Sequence, residues 1–194
     1  ALGGGYTDIA WTHLLDPKTD RYNIPFLEEY LPGMKAVLVH LFRREIGIVA
    51  APGNPRGIES FEDLTAEGLR FVNRQAGSGT RLLLDHHLKK NGIVADAIRG
   101  YNREVYTHIE VGLAILSGES DAGLATVAVS KLMGLHFVPV ARENFDMALG
   151  QSTYFSKGVQ ALVDTLRSDG LRKRFEKLGG YGFEDSGKIL YSTL

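Results

Sequence analysis

The sequence predicts an α/β fold built as two lobes joined by crossing strands, and three observations carry that prediction. Strand-like and helix-like stretches alternate along almost the whole chain, the pattern of sheets covered by helices. Two long strand-rich regions, Ala36–Ala51 and His136–Tyr154, bracket an α/β unit of about ninety residues. Within that unit a strand runs through Gly77-Ser78-Gly79-Thr80-Arg81 directly into a helix. The predicted lobes are residues 1–50 with 141–194, and residues 51–140.

The elements follow in order. Asp8–Leu15 reads as a short, mostly buried strand, and Asp16-Pro17-Lys18-Thr19-Asp20 as a turn. Ile24–Leu31 has proline in its first turn and Pro32-Gly33 behind it, which marks a short helix. Ala36–Ala51 is rich in valine and isoleucine but interrupted by Arg43-Arg44-Glu45, so it forms one long strand or two short ones. Ser60 followed by Glu62-Asp63 resembles an N-cap with acids in the first turn. Leu69–Arg74 is a strand, and the helix after it runs to Lys90, closed by Asn91-Gly92. Thr107–Ser117 is helical with Ile109, Leu113 and Leu116 on one face. Asp121–Leu124 is a strand, Val127–Met133 a helix, and His136–Val140 and Phe145–Leu149 are strands. The end is helical: Val159, Leu162, Val163 and Leu166 fall at i, i+3, i+4 and i+7, and Leu171, Phe175 and Leu178 continue the stripe.

Composition narrows the function. The 194 residues are 44% hydrophobic and 23% charged, ample for a core without staples. With no cysteine, disulfide scaffolds, thiolate metal sites and thiol catalysis are excluded. Twenty-two basic against 23 acidic residues give a net charge of −1, without the basic footprint of nucleic-acid binding. No apolar run approaches the ~20 residues of a membrane span. Glycine, at 23 residues, is well above its usual share of roughly 7%. Such a content fits many turns or a backbone that approaches a ligand closely.

The stretch Gly77–Arg81 carries the chemistry. With Ser78 as N-cap, the helix start offers the N–H groups of Gly79, Thr80 and Arg81 beside two hydroxyls, an arrangement that attracts anions. Arg81 places a cation where the helix dipole disfavours one. Either a bound anion offsets it or Asp85, four residues on, pairs with it. A P-loop needs Gly-Lys-Ser/Thr, a nucleophile elbow needs glycine at the position of Ala76, and the dinucleotide glycine spacing is missing. His86 and His87 point to different helix faces and cannot chelate together. His108-Ile109-Glu110 is equally weak. His13, at a strand end, is either a core histidine or a cleft residue. No acid–base pair has catalytic spacing, so binding is expected rather than catalysis.

Asn73–Asp85 closely resembles the signature of the PBP-like domain family, relatives of periplasmic molybdate- and tungstate-binding proteins. The likeness extends through His13–Asp16, Tyr22-Asn23, Pro52–Pro55, Gly100-Tyr101, Thr107-His108 and Asp121–Leu124, up to about Leu149. The resemblance implies a type II periplasmic-binding-protein fold that holds a small oxoanion, molybdate or tungstate, between its lobes for sensing or transport. Carried over by position, Ser78, Gly79, Thr80 and Arg81 form the second-lobe site. Thr107, His108 and Thr126 are added from that lobe, and Thr12 and His13 from the first. It implies no cofactor and no metal except within the oxoanion, no nucleic-acid contact or membrane insertion by this domain, and fused or partner DNA-binding, biosynthetic or transporter components. The alternative is a small organic effector of a transcriptional regulator. Family members begin with a further strand, loop and helix, so the first lobe is expected to be short at its start. Either a second copy or the stretch Gly182–Leu194 then covers it, with the oligomer favoured.

Overall fold

The computed structural model describes residues 2–193. In chain order, β1 (Ile9–Thr12), β2 (Leu15–Asp16) and β3 (Arg21–Tyr22) precede α1 (Ile24–Tyr30) and the long β4 (Ala36–Ala50). Next come β5 (Phe71–Arg74), α2 (Gly79–Lys90), β6 (Glu104–Val105), α3 (His108–Leu116), β7 (Ala122–Thr126) and α4 (Val127–Met133). The 15-residue β8 (His136–Gly150) leads into α5 (Gln151–Tyr154), α6 (Lys157–Arg167) and α7 (Asp169–Leu178). Short strands β9 (Tyr181–Gly182) and β10 (Ile189–Ser192) end the chain's regular structure. The chain divides into two compact units. The first holds residues 2–44, 143–177 and 181–193, and the second Glu45–Arg142 with Leu178–Gly180.

In the first unit β1 pairs antiparallel with β8, from Ile9↔Leu149 to Thr12↔Asp146. Strand alternation divides β4 between two layers. Val37, Val39 and Leu41 meet Val159, Val163 and Leu166 of α6, with Phe183 beside them. Leu38 turns the other way, onto Leu27 of α1 and Leu2. The C-terminal stretch folds back: β10 pairs with Val37–Val39 and β9 with Arg43–Arg44, while Leu194 lies outside the described residues. Those partners explain why Arg43-Arg44 does not break β4. The strand keeps its ladder there, and the two arginines reach Asp185 (3.0 Å) and Glu143 (2.8 Å).

In the second unit β5 runs parallel to both β7 and β6, and β4 closes the far side antiparallel to β7. Both sheet faces are covered, as parallel strands require. One face packs Ile48, Phe71 and Leu124 against Leu84 and Leu88 of α2. The other packs Val49, Val72 and Ala125 against Val111 and Ile115 of α3 and Val129 of α4. Because β7, β5 and β6 are parallel, their carboxyl ends share one edge, and α4, α2 and α3 each start there.

Several elements differ from the sequence reading. Asp8–Leu15 is not one buried strand. β1 stops at Thr12 with Trp11 54% exposed, and Leu15–Asp16 pairs instead with Arg21–Tyr22. Near Ser60 there is a single 3-10 turn, Glu62–Thr65. Phe61, not Ser60, holds the capping position, and Asp63 inside the turn reaches back, its carboxylate accepting the N–H groups of Glu59 and Ser60, each at 2.9 Å. The two strands expected around Arg142 are one, β8. On α3 the stripe Ile109, Leu113 and Leu116 is exposed, and Val111, Ala114 and Ile115 face the sheet instead. Beyond His108 and Glu110 in its first turn the helix is apolar all round, so periodicity alone cannot choose its face.

An ion pair locks the start of β5 to the turn before β7. Asp121 accepts from the Arg70 backbone N–H (2.8 Å), Nε (3.1 Å) and Nη2 (2.9 Å). The Arg70 side chain, more than burial opposes it, holds the Asp121 carboxyl below the usual carboxylate range. A depressed folded pKa means the stabilisation is complete above the unfolded value of about 4 and is lost as pH falls through the folded value. Acid titration of unfolding should therefore show Asp121→Asn with lower stability at neutral pH but a shallower acid limb. A parallel limb would contradict this assignment.

Candidate functional site

The loop between β5 and α2 turns at Gly77, whose φ of +82° is a conformation that side chains rarely adopt. Ser78 is then extended (φ −73°, ψ 146°) and caps α2, its Oγ accepting the Arg81 N–H at 3.2 Å. Its hydroxyl hydrogen remains available to donate. The first intrahelical bond runs from Leu82 N–H to the Ser78 carbonyl (3.0 Å), so the N–H groups of Gly79 and Thr80 precede the ladder. No acid occupies this first turn. Thr80 is 1% exposed, and its Oγ1 is buried without a hydrogen-bond partner. Leaving such a group unmet costs about 1–3 kcal/mol.

Arg81 is 8% exposed, and its side chain is committed within the unit. The guanidinium lies 3.9 Å over the Tyr101 ring and pairs with Asp85 at 3.3 Å and Glu104 at 3.1 Å. Burial opposes its charge, yet Tyr101 and Asp85 outweigh that and favour the charged form. Tyr101 in turn donates to Asp85 at 2.5 Å. Burial first, then that bond, pushes the phenol up. The Asp85 pairing expected for Arg81 forms here.

The other helix starts at this edge are built differently. Thr107 and Glu110 make a capping box on α3. The Glu110 carboxylate accepts the N–H groups of Tyr106 (2.8 Å) and Thr107 (2.7 Å) and the Thr107 hydroxyl (3.0 Å). The Thr107 hydroxyl, first among these, keeps the Glu110 carboxyl low. A carboxylate of the chain thus already fills that helix start, with Thr107 exposed and His108 half-buried. Thr126, 5% exposed, is the N-cap of α4 but makes no capping bond.

Thr12 and His13 belong to the first unit. Thr12 donates to Asn23 Oδ1 at 2.9 Å, and His13 stacks on Phe145 with ring centroids 5.1 Å apart. Behind Thr12 lies a buried network absent from the sequence reading. Asp146 meets His40 Nδ1 at 2.7 Å and Asn23 Nδ2 at 2.6 Å, and Asn23 Oδ1 also accepts the Leu14 N–H. This unit also has a concavity of about 350 Å³ lined by Trp11, Leu41, Phe42, Phe145, Leu162 and Leu166, almost wholly apolar and poor in donors for an anion. Among the described residues no three His, Cys, Asp or Glu gather as a metal site, and no helix is long and apolar enough to cross a membrane.

Comparison with known proteins gives the family and the fold. A family model described as a PBP superfamily domain matches residues 1–167. YvgK of Bacillus subtilis (strain 168), described as uncharacterized, is 29% identical over 189 residues. The alignment covers 97% of the chain but 61% of YvgK, so the chain spans less than two thirds of that relative. A Clostridium pasteurianum protein from the 5′ region of a 2Fe-2S ferredoxin gene is 26% identical over 110 residues, 56% of this chain and 97% of its own length. Among solved structures, a putative L-cystine ABC transporter protein from Listeria monocytogenes matches with TM-score 0.60 and 19% identity, covering 96% of this chain and 75% of that one. The regulatory domain of Synechocystis PCC6803 CcmR, in complex with 2-PG, matches with TM-score 0.59 and 14% identity over 85% of this chain and 74% of that one. At such identity these likenesses show the fold, a type II periplasmic-binding-protein-like one.

Proposed function

The chain belongs to the PBP superfamily domain family, and from that premise we propose that it binds a small oxoanion, of the molybdate or tungstate type, at the start of α2. One observation carries the reading. The Thr80 hydroxyl is buried and unpartnered, in a first turn whose Gly79 and Thr80 N–H groups precede the helical ladder and which holds no acid. A tetrahedral dianion needs several short donors pointing to one spot, and a helix start also supplies a favourable dipole. The α3 start is less suited, since Glu110 fills it. Ser78 contributes its hydroxyl hydrogen, Gly79 and Thr80 their N–H groups, and Thr80 its side chain. Arg81 contributes through the clamp that holds the turn. The role is recognition without chemistry, for sensing or delivery, since no nucleophile and base stand together in this turn.

Thermal unfolding in a panel of molybdate, tungstate, sulfate, phosphate and organic acids tests the reading. At a hundredfold excess over its dissociation constant, the bound oxoanion should add about 2.7 kcal/mol. Thr80→Val keeps the shape and should weaken binding by about 1–3 kcal/mol in calorimetry. A panel in which organic acids alone raise the melting temperature would replace this reading with that of an organic effector domain.

A further inference from the structure

We infer that Glu104 is the positioning residue of the α2 turn, an inference that rests on the oxoanion reading for its ligand. One carboxylate oxygen, Oε1, accepts both the Ala76 N–H (3.1 Å) and Arg81 Nη1 (3.1 Å). Those two contacts grip the chain on either side of Gly77–Thr80, the segment that carries every donor of the site. Glycine at 77 makes this the most deformable stretch of the loop, so its shape depends on what holds its ends. Glu104 itself is fixed. It lies on β6 opposite Asn73, and β6 is tied to β5 through Asn73 N–H to the Arg103 carbonyl (2.8 Å) and Gln75 N–H to the Val105 carbonyl (3.1 Å). Tyr101 and Asp85 complete the grip on Arg81 from the other sides.

A tether of this kind acts on geometry more than on global stability. The Glu104 side chain is 37% exposed, and ion pairs that open to solvent contribute little to unfolding free energy. Anion donors, by contrast, must be held within about 0.5 Å of their working positions. Removing the carboxylate should therefore loosen the turn and weaken binding while leaving the fold intact.

The test combines two readouts on Glu104→Ala and Glu104→Gln. Amide hydrogen exchange without ligand should be at least fivefold faster at Ala76 and Ser78, the hydrogen-bonded amides of the turn, in Glu104→Ala than in the native protein. Exchange should be slowed back toward native in Glu104→Gln, whose amide oxygen can still accept the Ala76 N–H. Calorimetric affinity for molybdate should fall about tenfold in Glu104→Ala, with substantial recovery in Glu104→Gln and a melting temperature near native in both. Unchanged exchange at Ala76 and Ser78 overturns the positioning role whatever the protein binds. Faster exchange with native affinity for molybdate overturns it as well. If the native protein takes up none of the oxoanions while exchange still responds to Glu104→Ala, the tether stands and the oxoanion reading falls.

Discussion

Gly100→Ala is expected to destabilise the protein by about 3 kcal/mol, combining the ~1–2 kcal/mol cost of a side chain at left-handed φ with the ~1–3 kcal/mol of overpacking. Gly100 has φ +96°, and a Cβ built on it would stand 2.1 Å from the Phe71 carbonyl oxygen. That oxygen belongs to β5, and the loop around Gly100 is stitched to the same strand through Phe71 N–H to the Arg99 carbonyl (2.8 Å) and Asn73 N–H to the Arg103 carbonyl. A methyl group can be accommodated only by pushing the loop off β5. The neighbouring Tyr101 ring, on which Arg81 rests, would move with it. For a chain of this size the loss corresponds to roughly 6–12 °C in melting temperature. Gly77→Ala is the comparison: its φ is also positive, but its Cβ would meet nothing within 4 Å, so only the smaller conformational cost applies. Denaturant unfolding of both variants separates the two contributions. Equal losses would show that the Phe71 contact does not matter.

Asp146→Ala is expected to cost a similar amount, about 3 kcal/mol, by a different route. Asp146 is fully buried and serves two partners, His40 Nδ1 and Asn23 Nδ2. Each group left unmet in the interior costs about 1–3 kcal/mol, and Asn23 recovers part of its share through the Asn144 carbonyl at 3.2 Å. Asn23 itself holds a left-handed φ of 61° and anchors Thr12 and Leu14, so the start of the first unit depends on this network. In a double-mutant cycle, Asn23→Ala combined with Asp146→Ala should cost clearly less than the sum of the two single changes. Additive losses would show that the two residues act separately.

Much of the fold was legible because its signals are local. The cap at Ser78, the α4 span and the α6 stripe of Val159, Leu162, Val163 and Leu166 all follow from short-range spacing, and the structure reproduces them. What was not legible depends on partners distant in sequence. Arg43-Arg44 looks like a strand break until Tyr181–Gly182 arrives to pair with it, more than 130 residues later. The exposed face of α3 cannot be told from its buried face, because both are apolar. In the candidate site, the spacing of Gly77–Arg81 marks a helix start capped by Ser78, but the fate of the Arg81 side chain did not follow from spacing alone. Asp85 was within reach at i, i+4, whereas Tyr101 and Glu104 come from the next strand and its approach loop. The His40–Asp146–Asn23 network left no local pattern, since its members come from β4, β8 and the turn before α1.

An oxoanion in the first turn of α2 would rest on backbone and hydroxyl donors. Amide NMR during titration with molybdate tests this placement most directly, because each N–H reports its own contact. The largest shifts should fall on Gly79 and Thr80 and saturate together, and Thr80→Val should move their midpoint to higher molybdate. Saturating shifts centred on other amides, with Gly79 and Thr80 unmoved, would contradict this placement.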